Sequence, residues 1–289
     1  MITRAGGPHA DPVLGFYGPH SLMWRINREA VLLGAGPASL LLQVAHPLIA
    51  VGVAQHSDFA ADPFGRLRRT LATTLDIVFG DGPTAEHAIR RLNGIHAGVR
   101  GPSDAEAARL TGADNYRALD PDLLLWVQAT LIVTSVEASR RWVGPVTDLE
   151  ADAFWQEARS VGVRMGIPLR VSPRDWSALL AYWDRMLAPG GPIQVTAEAR
   201  AMVPMLVRPP LPLAPGWAVD ALGLPGLALL PPRIREDYGI AWGAGHERAA
   251  RLIATGVRAW TSVVPTSLRS MPQARAADRR ARRAEAATA

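Results

Sequence analysis

The chain has 289 residues, and 48% of them are hydrophobic, which excludes a disordered protein and allows a large buried core. It contains no cysteine, so disulfides, zinc–thiolate sites, iron–sulfur clusters and thiolate-ligated haem are excluded. All 31 basic side chains are arginine, and part of the net charge of +5 lies in a basic C-terminal stretch. We expect residues 1–272 to form one domain and residues 273–289 a basic tail, either disordered or a solvated helix. No aromatic residue occurs among the arginines of this tail. Because single-stranded nucleic acids bind by stacking on aromatic side chains, nucleic-acid binding is not expected.

The first sixty residues predict two helices. Residues Ser21 to Leu33 have the apolar and charged periodicity of an amphipathic helix. Residues Ala38 to Gln55 are apolar nearly all round, and Pro47 within them predicts a kink. We expect a buried central helix here; the alternative, a membrane span, is disfavoured because Gln43 and His46 would be costly in hydrocarbon. No basic start followed by an apolar core precedes this region, so we expect a cytoplasmic protein.

A row of polar side chains follows on the next predicted helix, which runs from about Asp62 to Gly80. Its members are spaced three, four and seven residues apart and therefore share one helical face: Arg66, Arg69, Thr70 and Thr73. From spacing alone, the favoured interpretation is a solvated face. The alternative is that two guanidiniums and a hydroxyl point at an anion or a bound oxygen species.

Two histidines lie on the third predicted helix, AEHAIRRLNGIHAGVRG. His87 lies among charged residues and is expected to be exposed. His96 lies between Ile95 and Val99 on an apolar side, where a histidine is more often a hydrogen-bonded core residue than a metal ligand. The segment LLLWVQATLIVTSVEASRRW predicts a second central helix, and this helix carries Gln128.

The remaining segments also favour helices. Start signals occur at Thr147, where Glu150 completes a capping box, and more weakly at Ser172. Further helices are expected over Thr196–Leu206 and 245–264, separated by a segment rich in proline and leucine that we expect to cover the core. No segment shows the two-residue alternation of a strand, and no glycine-rich phosphate-binding motif occurs. The predicted fold class is all-α.

Six short motifs follow one another along the chain. They are A-H-P at His46, G-V-x-x-H-S-x-F from Gly52, D-P-x-x-R-L-x-R-T from Asp62, H-x-x-V-x-G from His96, Y-R-A-L-D-P-D-L-L-L-W-V-x-A-T-L from Tyr116 and L-P-P-R-I-R-E-D-Y-G-I-A-W from Leu230. In this order and spacing, the chain resembles the catalytic-domain family of the latex-clearing proteins, or rubber oxygenases. That family also includes the oxygenase of mycophenolic acid biosynthesis. The resemblance covers most of residues 15–275.

The resemblance implies a multi-helix domain with a globin-like helical core around one buried haem b, and dioxygen as co-substrate. It implies that His96 is the proximal iron ligand and that Arg66 and Thr70 lie on the opposite, oxygen-binding side. The expected activity is oxygenation of an apolar small molecule, with unsaturated or isoprenoid compounds as the class to test. His46 is a second candidate for a haem contact. A stable membrane span is not expected.

Three departures from the family limit what the resemblance implies. Arg69 stands where rubber oxygenases have a lysine able to approach the iron, and because arginine keeps its proton we expect it to steer a substrate or a haem propionate instead. Gln128 stands where many members have histidine; it can contact the cofactor but cannot transfer a proton near neutral pH. No glutamate matches the base proposed for isoprene cleavage. Two alternatives therefore stay open: a haem-binding carrier or gas sensor without turnover, and a haem-free helical ligand-binding protein.

Overall fold

The computed structural model describes residues 9–56, 63–207 and 223–288, and within these ranges the chain is almost entirely helical. The helices are α1 Leu22–Asn27, α2 Gly36–Val44, α3 Pro47–His56, α4 Pro63–Phe79, α5 Gly82–Gly98, α6 Ala105–Thr111, α7 Pro121–Trp142, α8 Asp148–Gly162, α9 Trp176–Leu187, α10 Ala197–Ala201, α11 Val203–Val207, α12 Pro232–Asp237, α13 Ala244–Val263, α14 Thr266–Arg269 and α15 Pro272–Thr288. Shorter helical segments occupy Ala30–Ala35, Val163–Met165 and 223–227. The all-α prediction is confirmed.

One small sheet interrupts the helices in the described ranges. Strands β1 (Arg100–Pro102) and β2 (Asn115–Arg117) pair antiparallel, with Gly101 opposite Tyr116. Strands of three residues are too short to show an alternating pattern, so the absence of such a pattern in the sequence is compatible with this sheet.

The predicted kink at His46 and Pro47 is a full break between two helices. The segments Ala30–Val44 and Pro47–His56 meet at 105°. Pro47 has no N–H to donate to the Gln43 carbonyl, which accepts from the His46 N–H at 3.2 Å instead, so the Leu42 carbonyl loses its helical donor. Trp126 Nε1 donates to the Leu42 carbonyl at 2.9 Å and the Tyr238 hydroxyl donates to the Leu41 carbonyl at 2.6 Å. The break is therefore stabilised by side chains from distant parts of the chain.

Both predicted central helices are buried, as expected. Ala38, Leu41 and Leu42 of α2 are fully buried. Helix α7, 22 residues long, begins at Pro121 behind the N-cap Asp120 and carries the fully buried Trp126. Among the described residues, no single helix has both the length and the apolarity that a bilayer crossing requires.

Helix starts follow the sequence signals in part. The capping box of Thr147 and Glu150 is present at the start of α8. The signal at Ser172 is wrong, because α9 begins at Trp176: its backbone N–H donates to Asp152 of α8 at 2.7 Å, and Asp175 is the N-cap.

The last part of the chain differs from the predictions at three places. The single helix expected over Thr196–Leu206 is split at Met202, since Pro204 cannot continue the hydrogen-bond ladder. The expected cover lies largely outside the described residues, at 208–222. The helix predicted at 245–264 is confirmed as α13.

The C-terminal stretch forms helix α15, where the sequence favoured a disordered tail. Its alanines 274, 277 and 281 are buried in the main core. Arg280 donates to the backbone carbonyls of Val13 and Phe79, each at 2.6 Å, and Asp278 forms an ion pair with Arg28. Because Phe79 is the last residue of α4, the C-terminal helix holds the end of the helix that carries the predicted polar row.

Candidate functional site

Helices α4 and α5 form the hairpin that carries most of the predicted site. The turn between them is short because Asp81 caps α5 by accepting from the Thr84 backbone N–H at 2.9 Å. The two helices pack against each other as an antiparallel pair. Arg66 and His96 are each 15 residues from Asp81 along the chain, so their backbones lie at about the same level of the hairpin.

The polar row of α4 is divided between two environments. Thr73 is buried, accepts a hydrogen bond from Arg91 of α5 and donates to the Arg69 carbonyl at 3.0 Å. Arg69 and Thr70 are exposed. The side chain of Arg66 lies outside the described residues. The row is thus neither wholly solvated nor wholly buried, and the contacts of Thr73 give it a structural role between the two helices.

His96 lies in the last turn of α5, with most of its ring buried. Its Nδ1 atom is shielded from solvent and has no hydrogen-bond partner among the described residues. Such a group costs about 1–3 kcal/mol of stability. Burial also lowers the pKa of His96, which keeps the imidazole neutral near pH 7, and the neutral form is the one that binds metals. His96 therefore has an unused nitrogen of the kind a ligand needs.

A pocket of about 460 Å³ opens beside His96. This volume is within the range of small-molecule sites, about 300–1,000 Å³. The lining residues come from the end of α5, the two strands and the start of α7: His96, Ala97, Val99, Arg100, Arg117, Leu119, Asp120 and Pro121. Both apolar and charged side chains thus line one cavity, as is typical of sites that bind a ligand with apolar and polar parts.

The ring of Tyr116 holds the small sheet against α3. A β-carbon at Gly52 would lie 3.1 Å from the ring, and one at Gly101 would lie 3.2 Å from the hydroxyl, so the ring packs closely against both glycines. The hydroxyl donates to Gln55 Oε1 at 2.8 Å, and the His56 ring nitrogen Nε2 lies 3.2 Å from the Arg100 carbonyl. Residues from three sequence motifs meet here. The two glycines and the tyrosine, which lie in these motifs, are the sequence signal for this contact.

Two arginines face each other at the pocket. Arg100 and Arg117 are directly opposite in the sheet register, both are exposed, and neither forms an ion pair within the described ranges. Like charges directly opposite on a sheet are unfavourable, so an anion bound at the pocket would offset the repulsion. The acidic residue in the pocket lining is Asp120. Its carboxylate caps the N-terminus of α7 by accepting from the Asp122 N–H at 2.9 Å.

His46 and Gln128 do not line this pocket. His46 is buried at the α2–α3 break, its Nδ1 accepts from the Leu48 N–H at 3.3 Å, and burial lowers its pKa to about 4 while the charge of Asp120 acts in the opposite direction. Gln128 lies between α7 and α8, where its Nε2 donates to the Ala158 carbonyl at 2.8 Å. Of the predicted site residues, His96 is therefore the one that the structure puts at the pocket.

Comparison with known proteins agrees with this architecture. The family model described as the catalytic domain of ER-bound oxygenase mpaB/B' and rubber oxygenase matches residues 23–259. Two mycobacterial proteins are similar to the chain: uncharacterized protein Mb2261 of Mycobacterium bovis and uncharacterized protein Rv2237 of Mycobacterium tuberculosis. Each is 26% identical over 240 residues, covering 79% of this chain and 88% of the relative. No solved structure matches the chain.

Proposed function

The chain belongs to the family of mpaB/B' and rubber oxygenase catalytic domains, and on that premise we propose that it is a haem b-dependent oxygenase that acts on an apolar small molecule. The observation that carries the proposal is the buried, unpaired nitrogen of His96 at the edge of a pocket. Unsaturated and isoprenoid compounds are the substrates to test first.

The residues around the pocket fit a haem. A macrocycle brings its own four nitrogen ligands and needs one imidazole from the protein, which His96 can supply in its neutral form. The propionates of a haem are two carboxylates, and Arg100 and Arg117 supply two adjacent guanidiniums. When bound, the haem supplies the redox chemistry that activates dioxygen.

The chain's own residues would orient the other reactants. We assign to Arg66 and Thr70 the role of hydrogen-bond donors toward dioxygen, because they match the family motif and because Arg66 is level with His96 on the facing helix. Arg69 retains its proton and would steer an anionic group near the pocket. The apolar side chains Val99 and Leu119 would exclude water from the substrate.

Haem binding is tested by reconstituting the purified chain with haem and recording the Soret band. His96→Ala should weaken haem binding by at least tenfold and alter the spectrum. His87→Ala is the matched control, since His87 is an exposed histidine on the same helix. An unchanged spectrum in His96→Ala would refute the ligand assignment, and His46→Ala would then be the next variant to record.

Turnover is tested separately, by measuring oxygen consumption by the haem-loaded protein with apolar alkenes. Substrate-dependent consumption that Arg66→Ala and Thr70→Val both reduce supports the oxygenase. A loaded protein that binds haem through His96 but consumes no oxygen would instead be the carrier or gas sensor that the substitutions at Arg69 and Gln128 leave open. A preparation that binds no haem at all would favour the haem-free ligand-binding protein.

A further inference from the structure

Helix α13 has an apolar face that points away from the core. The opposite face packs inward: Ala250 and Thr261 are buried, and the Thr261 hydroxyl donates to the Trp142 carbonyl at 2.8 Å. On the outer face, apolar residues recur every three or four positions and continue into α14, and we call them the α13 stripe: Leu252, Gly256, Ala259, Trp260, Val263 and Leu268. The large side chains are 67% exposed at Leu252, 45% at Trp260, 78% at Val263 and 71% at Leu268.

A row of exposed apolar residues on one helix differs from the single exposed residues that occur on most soluble proteins. Isolated cases such as Leu149 of α8, 80% exposed, need no explanation. Three of the large stripe residues, Leu252, Trp260 and Val263, lie within 12 consecutive residues on one face of α13, and the solvent-facing side of a surface helix is normally polar. We therefore expect another molecule or surface to cover the α13 stripe.

The charges beside the stripe decide which occupant fits. Arg248, Arg251 and Arg258 follow one edge of the helix, and its single acidic residue, Glu247, pairs with Arg251 at 3.8 Å. A second copy of the chain, related by a two-fold axis, would bring these arginines close to one another, and like charges across an interface are unfavourable. An anionic surface would attract them.

We propose that the α13 stripe docks on the surface of an anionic lipid bilayer. The helix would lie in the plane of the interface, with Leu252 and Val263 entering the boundary of headgroups and acyl chains. Trp260 has an apolar body and an N–H donor, which suits that boundary. Arg248 and Arg251 would contact the anionic headgroups. This proposal is independent of haem binding and of the oxygenase activity.

The experiment is flotation of the full chain with vesicles of phosphatidylcholine alone and with vesicles that also contain phosphatidylglycerol. We expect the chain to float with the anionic vesicles and to stay at the bottom of the gradient with the neutral ones. The double variant L252Q/V263Q should lower the partition coefficient by about tenfold or more. The variant R248Q/R251Q should lower it by a similar factor and make it insensitive to salt.

Leu149→Gln is the matched control, because it removes an equally exposed leucine from another helix and should not change flotation. All variants change exposed side chains, so thermal unfolding should match that of the wild type and exclude misfolding. The proposal is overturned if the chain fails to float with anionic vesicles, floats equally with both kinds, or responds to Leu149→Gln as strongly as to L252Q/V263Q. A dimer in light scattering that L252Q/V263Q converts to a monomer, without flotation, would overturn it in favour of a second copy.

Discussion

Removing the ring of Tyr116 should destabilise the chain and release the strands that line the His96 pocket. The side chain is 3% exposed and fills the space left by Gly52 and Gly101. Truncating a fully packed aromatic residue costs about 3–5 kcal/mol, so Tyr116→Ala should lower the free energy of unfolding by this amount. Tyr116→Phe keeps the ring and loses only the hydrogen bond to Gln55. Because Gln55 is exposed and can bond to water, the cost should be near the lower end of about 0.5–1.5 kcal/mol.

Urea unfolding followed by tryptophan fluorescence measures both values, and haem titration of the folded variants measures the effect on the pocket. Tyr116→Ala should weaken haem binding, because the sheet that carries Arg100 and Arg117 loses its attachment to α3. Tyr116→Phe should bind haem as the wild type does. If Tyr116→Ala costs less than about 1.5 kcal/mol, the ring is not the packing element described here. If it unfolds easily but binds haem normally, the sheet does not position the pocket.

Three further predictions concern the scaffold. Trp126→Phe leaves the buried Leu42 carbonyl without a donor and should cost about 1–3 kcal/mol in urea unfolding, whereas the exposed Trp260→Phe should be neutral. Thr147→Ala removes the capping box of α8 and should cost about 1 kcal/mol; a Ser substitution should restore it. Hydrogen bonds from Arg25 and Thr147 lower the pKa of Glu150 to about 2. Because this pKa lies below the ordinary value of 4.5, the stabilisation by Glu150 is complete above pH 4.5 and is lost as the pH falls toward 2. The stability difference between the wild type and Glu150→Gln should therefore shrink on acidification, and a constant difference would contradict the assignment.

The interruption of the helix at Pro47 can be predicted from the sequence, whereas the angle between the two resulting helices cannot. A proline inside an apolar helical run removes one hydrogen bond wherever it occurs, so a kink could be expected from the sequence. The angle depends on which side chains reach the carbonyls around the break. Trp126 binds the Leu42 carbonyl and Tyr238 binds the Leu41 carbonyl, from 84 and 197 residues further along the chain. No local pattern contains that information.

The environment of the polar row of α4 also depends on tertiary contacts that the spacing of its residues does not reveal. Spacing predicted that Arg69, Thr70 and Thr73 share a face, but the partner helix covers only part of that face. Arg91 of α5 reaches Thr73, which is buried, while the two residues nearer the start of α4 are exposed. Helical periodicity predicts which side of the helix a side chain occupies. It does not predict how much of that side a neighbouring helix covers.

The packing of the C-terminal helix against the core was not predicted, because its buried face is made of alanine. Ala274 and Ala277 are three residues apart and Ala281 follows four residues later, which is helical spacing. Alanine contributes little apolar area, however, and the surrounding arginines dominate the composition. The attachment depends on Arg28 and on two backbone carbonyls far away in the sequence, so it could not be inferred from the stretch itself.

The substitution at Gln128 alters the interior of the helix bundle more directly than it alters the pocket. The amide donates to the Ala158 carbonyl, and a β-carbon at Gly162 would lie 2.8 Å from its nitrogen, so the side chain fills the contact between α7 and α8. Its carbonyl oxygen is buried without a partner within the described ranges. A histidine at this position could also donate one hydrogen bond, but its ring would press on Gly162 and its second nitrogen would replace the orphaned oxygen. Gln128 therefore fills the contact between α7 and α8 and is not part of the pocket beside His96.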